Sequence, residues 1–113
     1  MQGRSRDSAQ NIACQAAALE KLGAFAIVLE CVPANIARDI SESLRIPTIG
    51  IGAGAGCDGQ ILVLQDLLGL NPDFHPKFAR PFLNGARCVL ETLARFDEAV
   101  KAGTFPAGEE SYS

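Results

Sequence analysis

The sequence has no apolar run near the roughly 20 residues a membrane helix requires, and Met1 to Asp7 lack the apolar segment of a secretory leader. These absences predict a cytosolic chain that neither spans nor enters a membrane. Its 10 Lys and Arg stand against 13 Asp and Glu, a formal charge of −3. The basic residues are scattered and form no stripe, which argues against a nucleic-acid surface. Histidine occurs once, as His75, and Cys14, Cys31, Cys57 and Cys88 are far apart with no CxxC spacing, so a zinc site is not expected. The thiols read as reduced residues of the core or beside a site. Internal repeats and low-complexity linkers are also missing. With 48% hydrophobic and 20% charged residues in 113, the composition is that of a globular protein, read as a single domain over 1–113 with a tail at 104–113.

The most informative stretch is Ala26 to Cys31. Apolar residues bounded by Gly23 and Pro33 suit a strand buried on both faces, as in a parallel sheet. The run ends in Glu30, and a carboxylate is costly to bury without a partner, a metal or a proton. Parallel α/β sheets place ligand sites at the carboxyl ends of their strands, so Glu30 is a candidate site residue. The alternative is an acid that turns to solvent or pairs with Arg4 or Arg38.

Around this strand the remaining elements follow from spacing. Ile12, Ala16, Leu19 and Leu22 predict a helix over 5–22, capped by Ser5 or Ser8 and stopped by Gly23. Ile36, Ala37, Ile40 and Leu44 predict a second helix over 34–44 after Pro33. Strands are expected at 25–31, 47–51 and 60–64, parallel and adjacent in that order, with both helices on one face. Gly50, Gly52, Gly54 and Gly56 lie between the last two strands. Their missing Cβ atoms allow positive φ and close approach, which suits either a polar-group cradle or a tightly turned connection. As a dinucleotide fingerprint the run is weak, because no helix is expected after it. Residues 75–82 read as an irregular aromatic segment with Pro76 and Pro81. A last helix over 84–102 carries Val89, Leu93, Phe96 and Val100 in register, with Gly103 closing it. In the tail, Phe105 and Tyr112 are the expected anchors. Three parallel strands leave edges uncovered, so the order reads as α/β, the last portion of a (β/α) barrel.

Four ordered motifs carry a family resemblance: Val28 to Pro33, Ile46 to Gly54, Cys57 to Val63, and His75 to Phe78. With Gln2-Gly3-Arg4 they closely resemble the carboxyl-terminal part of ketopantoate hydroxymethyltransferase, over essentially all 113 residues. The resemblance implies a partial (β/α)8 barrel and transfer of a one-carbon unit from methylene-tetrahydrofolate, as co-substrate, to the keto acid 2-oxoisovalerate, giving ketopantoate for pantothenate synthesis. It makes Glu30 the catalytic base and Gly50, Gly52, Ala53 and Gly54 candidate substrate- or folate-binding residues. It also implies Mg2+, but the family's two aspartates and glutamate that hold the metal have no counterpart here, and neither Asp58 nor Asp66 is assigned as a ligand. Gln65-Asp66 stands where many members have His-Asp, and the tail lacks a histidine often found there. The expected partners are the missing barrel half or further copies of the chain. Two readings follow: a piece of the transferase that works only with the rest of the barrel, or a non-catalytic assembly or regulatory module of the full-length enzyme.

Overall fold

The structure is a computed structural model that describes residues 3–113. The chain forms two compact units, one ending at Val63 and the other beginning at Leu64.

The first unit starts with helix α1, Arg6–Lys21. Ser5 caps it by accepting a hydrogen bond from Ser8 N–H at 3.2 Å, and Gly23 leaves it at φ +97°, a conformation that favours glycine. Strand β1, Ile27–Glu30, helix α2, Ala34–Ser43, and strand β2, Thr48–Ile51, make the expected βαβ unit. The sheet order is β1-β2-β3, all parallel. Ile27 pairs with Thr48 and Glu30 with Ile51.

Both helices contribute to one core. Ala16 of α1 and Ala37 and Ile40 of α2 cluster with Ile27, Leu29, Val32 and Ala53, and Ile12, Ile36 and Leu44 pack against them. The helices therefore lie over the face of β1 that carries Ile27 and Leu29. Glu20 joins the elements at the other end. Its carboxylate accepts hydrogen bonds from Arg45 and Ile46 N–H at 2.7 and 3.2 Å.

Two strand expectations are corrected. β1 is not buried on both faces: burial alternates along it, and Val28 is 56% exposed. The cause is the layer count, since this unit's helices cover only one side of the sheet. The third strand is far shorter than 60–64. β3 is Gly59–Gln60, and ladder bonding goes one step further, with Ile61 N–H donating to Gly50 C=O at 3.0 Å.

The second unit opens with a one-turn helix α3, Leu64–Leu67, which takes in Leu64, the last residue of the expected third strand. Residues 71–84 contain no helix or strand. The segment is held by Phe82 N–H to Leu67 C=O and Gly85 N–H to Leu68 C=O, both at 2.8 Å. Helix α4, Gly85–Lys101, is capped by Asn84, which accepts from Arg87 N–H. Gly103 follows at φ +71°. Phe105 packs edge-on against Phe96 with ring centroids 5.4 Å apart, after which a short 3-10 turn spans Gly108–Glu110. Tyr112, expected to anchor the tail, is fully exposed.

Candidate functional site

Glu30 is the last residue of β1, level with Ile51 across the ladder. Residues paired in register share a face, so Glu30 stands with Val28, Ile49 and Ile51 on the side away from α1 and α2. It is exposed. Among the described residues no salt bridge reaches it; Arg38, one of the partners considered from the sequence, lies 3.6 Å from Asp39 instead. The unit presents this carboxylate at the strand end, on the rim of a pocket of about 210 Å3 that is also lined by Ile12, Leu19, Val28 and Val32.

The turn after Glu30 is sharp. Cys31 has φ +52°, the only positive φ at a non-glycine residue among those described, and its N–H still donates to Ile51 C=O at 2.9 Å. Val32 then drops into the core. β2 ends in the same way one residue past the paired level, with Gly52 at φ +65°. Two neighbouring parallel strands thus leave the sheet through left-handed residues, and Glu30 lies just below the first. Sequence spacing gives no sign of this, because a cysteine is not a residue expected in the left-handed region.

The glycine segment runs along α2. A Cβ on Gly54, which has φ +80°, would lie 2.5 Å from Ala34 Cβ, and one on Gly56 would lie 2.7 Å from Arg38 Cβ. Ala34 and Arg38 are one helical turn apart, so alternate glycines of the crossover meet successive turns of α2. Gly54 C=O accepts from Gln60 Nε2 at 2.8 Å. Ala53 is fully buried in the core cluster. Gly50 is buried within β2, where a Cβ would come 3.0 Å from Cys57 Sγ. Of the candidate binding residues, Gly52 alone sits beside the end of β1, while Gly54 is turned toward α2.

The crossover ends in a polar cluster that the sequence reading did not find. Thr48 is fully buried. Asp58 accepts from Thr48 N–H at 2.8 Å and from Thr48 Oγ1 at 3.2 Å, and Asp58 N–H donates to Thr48 Oγ1 at 3.3 Å. The Ser41 and Thr48 hydroxyls are 2.6 Å apart. This arrangement ties the start of β2, the end of the crossover and α2 together. The signal available in sequence was a lone Thr inside an apolar strand.

The residues present do not fit a magnesium site. Among those described, no three His, Cys, Asp or Glu side chains gather as a metal cluster, and the Asp58 carboxylate is held by Thr48. All four cysteines are free; Cys14 and Cys88 are exposed and not part of the core. No described helix is long and apolar enough to cross a membrane.

A parallel βαβ unit with a lone acid at the carboxyl end of its first strand belongs to the α/β class of folds, which build their sites at strand ends. Comparison with known proteins gives the particular family. The ketopantoate hydroxymethyltransferase family model matches residues 1–108, and the chain belongs to that family. A 3-methyl-2-oxobutanoate hydroxymethyltransferase of Francisella tularensis subsp. tularensis (strain FSC 198) is 50% identical over 112 residues, 99% of this chain and 42% of its own length. Proteins of the same name from Enterococcus faecalis and Bdellovibrio bacteriovorus are 49% and 47% identical, with 41% and 43% of their lengths covered. The chain thus spans about two-fifths of the length of these curated relatives.

Proposed function

We infer that the chain is a portion of a hydroxymethyltransferase of pantothenate synthesis, acting in the cytosol on 2-oxoisovalerate with methylene-tetrahydrofolate as one-carbon donor. In this reading it forms the later part of a (β/α)8 barrel and works together with the rest of that barrel. The observation that carries the reading is the place of Glu30: it closes a parallel strand, on the face away from the helices, in a chain of this family.

Glu30 acts there as general base. It takes the proton from the carbon next to the keto group, and the C–H electron pair passes into the enolate, whose carbon then bonds to the folate-borne carbon as one of that carbon's two bonds to folate nitrogen breaks; water replaces the other, giving the hydroxymethyl group and freeing tetrahydrofolate. In a completed barrel the face that Glu30 shares with the exposed Val28 would be closed in, which would shield the carboxylate from solvent. Gly52, at φ +65° beside the strand end, is the candidate binding residue nearest to Glu30. Stabilising the enolate oxygen falls to groups outside this chain.

The test is Glu30→Gln in enzyme reconstituted from this chain and the remainder of a relative. Gln keeps the shape and cannot take the proton. Exchange of the C3 proton of 2-oxoisovalerate with deuterated solvent should fall about 10²–10⁴-fold, with substrate affinity little changed. Exchange at the parental rate would make Glu30 a structural acid.

A further inference from the structure

β1 leaves the sheet through a conformation that strains its residue. Cys31 stands at φ +52°, where an L side chain crowds its own backbone and glycine does not. The neighbours show why the turn falls there. Along β1 burial alternates, with Ile27 and Leu29 toward the core and Val28 and Glu30 on the open face, so a chain that stayed extended would carry Val32 to the open face as well. Val32 is instead 5% exposed and part of the core cluster. The alternation is therefore reversed between Glu30 and Val32. Glu30 is still in the ladder opposite Ile51, and Val32 precedes Pro33, whose ring confines it to extended backbone. The reversal is left to Cys31.

Both flanks of the turn are tied. Cys31 N–H donates to Ile51 C=O at 2.9 Å, and Pro33 C=O accepts from Ala37 N–H at 2.9 Å as α2 begins. These ties account for the left-handed backbone and leave the choice of side chain unexplained, because glycine would make the same turn without strain. The thiol is free, and none of the hydrogen bonds among the described residues uses it. What cysteine has there and glycine lacks is a Cβ, which removes most of the backbone freedom a glycine would bring to the position directly after Glu30. Strain of this kind persists where the surroundings over-determine it, and it gathers at sites that need fixed geometry.

We propose that Cys31 is a positioning residue for Glu30: its Cβ, and not its thiol, stiffens the strand end and holds the carboxylate at one height and aim on the open face. That Glu30 is the base so positioned rests on the transferase reading; the stiffened turn does not. A misplacement of about 1 Å at a reacting group can cost about 100-fold in rate, so a small gain in freedom at position 31 is enough to be read in the proton step.

The experiment compares Cys31→Ala, which keeps the Cβ and discards the thiol, with Cys31→Gly, which discards both. Thermal melts and the backbone order parameter of Glu30 are read on the isotope-labelled 113-residue chain. Exchange of the C3 proton of 2-oxoisovalerate and keto-acid affinity are read on enzyme reconstituted with the remainder of a relative. Cys31→Ala should exchange the proton within a few-fold of the parent and keep Glu30 rigid, with an order parameter of about 0.85. Cys31→Gly should melt no lower than Cys31→Ala, since the strain is relieved. It should nevertheless exchange the proton at least about tenfold more slowly at saturating keto acid, with affinity little changed and a lower order parameter at Glu30. A residue that only supports the fold would move stability and exchange together. Equal losses in the two variants would assign the effect to the thiol, and exchange at the parental rate in Cys31→Gly would make the turn indifferent; either result overturns the proposal, as does Cys31→Gly melting below Cys31→Ala. If the parent enzyme exchanges no proton, the transferase reading falls, and the Glu30 order parameters alone decide the positioning: an unchanged value in Cys31→Gly overturns it.

Discussion

Single residues in this chain separate into those that hold geometry and those left free for chemistry. Thr48 and Asp58 are of the first kind. Removing the Asp58 carboxylate leaves the Thr48 N–H without its acceptor, while the fully buried Thr48 hydroxyl keeps Ser41 Oγ at 2.6 Å, and orphaning a buried donor costs about 1–3 kcal/mol. Asp58→Ala should lower the urea midpoint accordingly, while replacing the nearby exposed Asp39 should change it little. Gly54 makes a second contrast. Gly54→Ala meets both the strain of φ +80° and the Ala34 side chain, but Gly103→Ala at φ +71° meets nothing within 4 Å. Thermal melts should show about 1–2 kcal/mol of backbone strain for Gly103→Ala and a clearly larger loss for Gly54→Ala. Equal losses would mean that the crossover does not rest on α2.

At the scale of elements, what decides the outcome is which faces find a partner. α2 buries Ala37 and Ile40 because the sheet lies beneath them. α4 shows the opposite case. Its intended stripe of Val89, Leu93, Phe96 and Val100 is about half exposed, although the helix carries Arg87–Glu91 and Asp97–Lys101 pairs at i,i+4. Such exposed pairs contribute only a few tenths of a kcal/mol each, so α4 depends on its cap, its own propensity, the Phe96–Phe105 contact and the hydrogen bonds of its first residues to Leu68 and Gly69. β3 stops after two residues, and 61–63 lead without regular structure to the helix that Leu64 begins. The run 60–64 looked like a strand by composition, and short apolar runs do not tell strand from helix without knowledge of what covers them.

For the whole molecule, the exposed apolar surface and the absence of a metal cluster among the described residues lead to one expectation. The purified 113-residue chain should form no measurable ketopantoate from 2-oxoisovalerate and methylene-tetrahydrofolate. An enolate with a base and no group to hold its oxygen lacks the largest stabilising term. Product formation above the uncatalysed rate, measured with the chain alone, would overturn this. The same surface should make the chain associate at high concentration, as light scattering can detect.

The sequence by itself determined the elements with strong local signals and the family. The Ser5 cap, the Gly23 and Gly103 stops and the helical spacings fixed three helices to within about two residues, because caps and periodicity act within one or two turns of chain. It also fixed the parallel order of the strands, since the crossover rule leaves few choices. Tertiary structure alone decided the rest. Which side of β1 stays bare, that Gly54 and Gly56 lean on α2, that Cys31 takes a left-handed turn beside Glu30, and that Thr48 holds Asp58 all depend on groups ten or more residues apart or on the layers present. Local sequence carries no record of those distances, and a face is buried only when another layer is there to cover it.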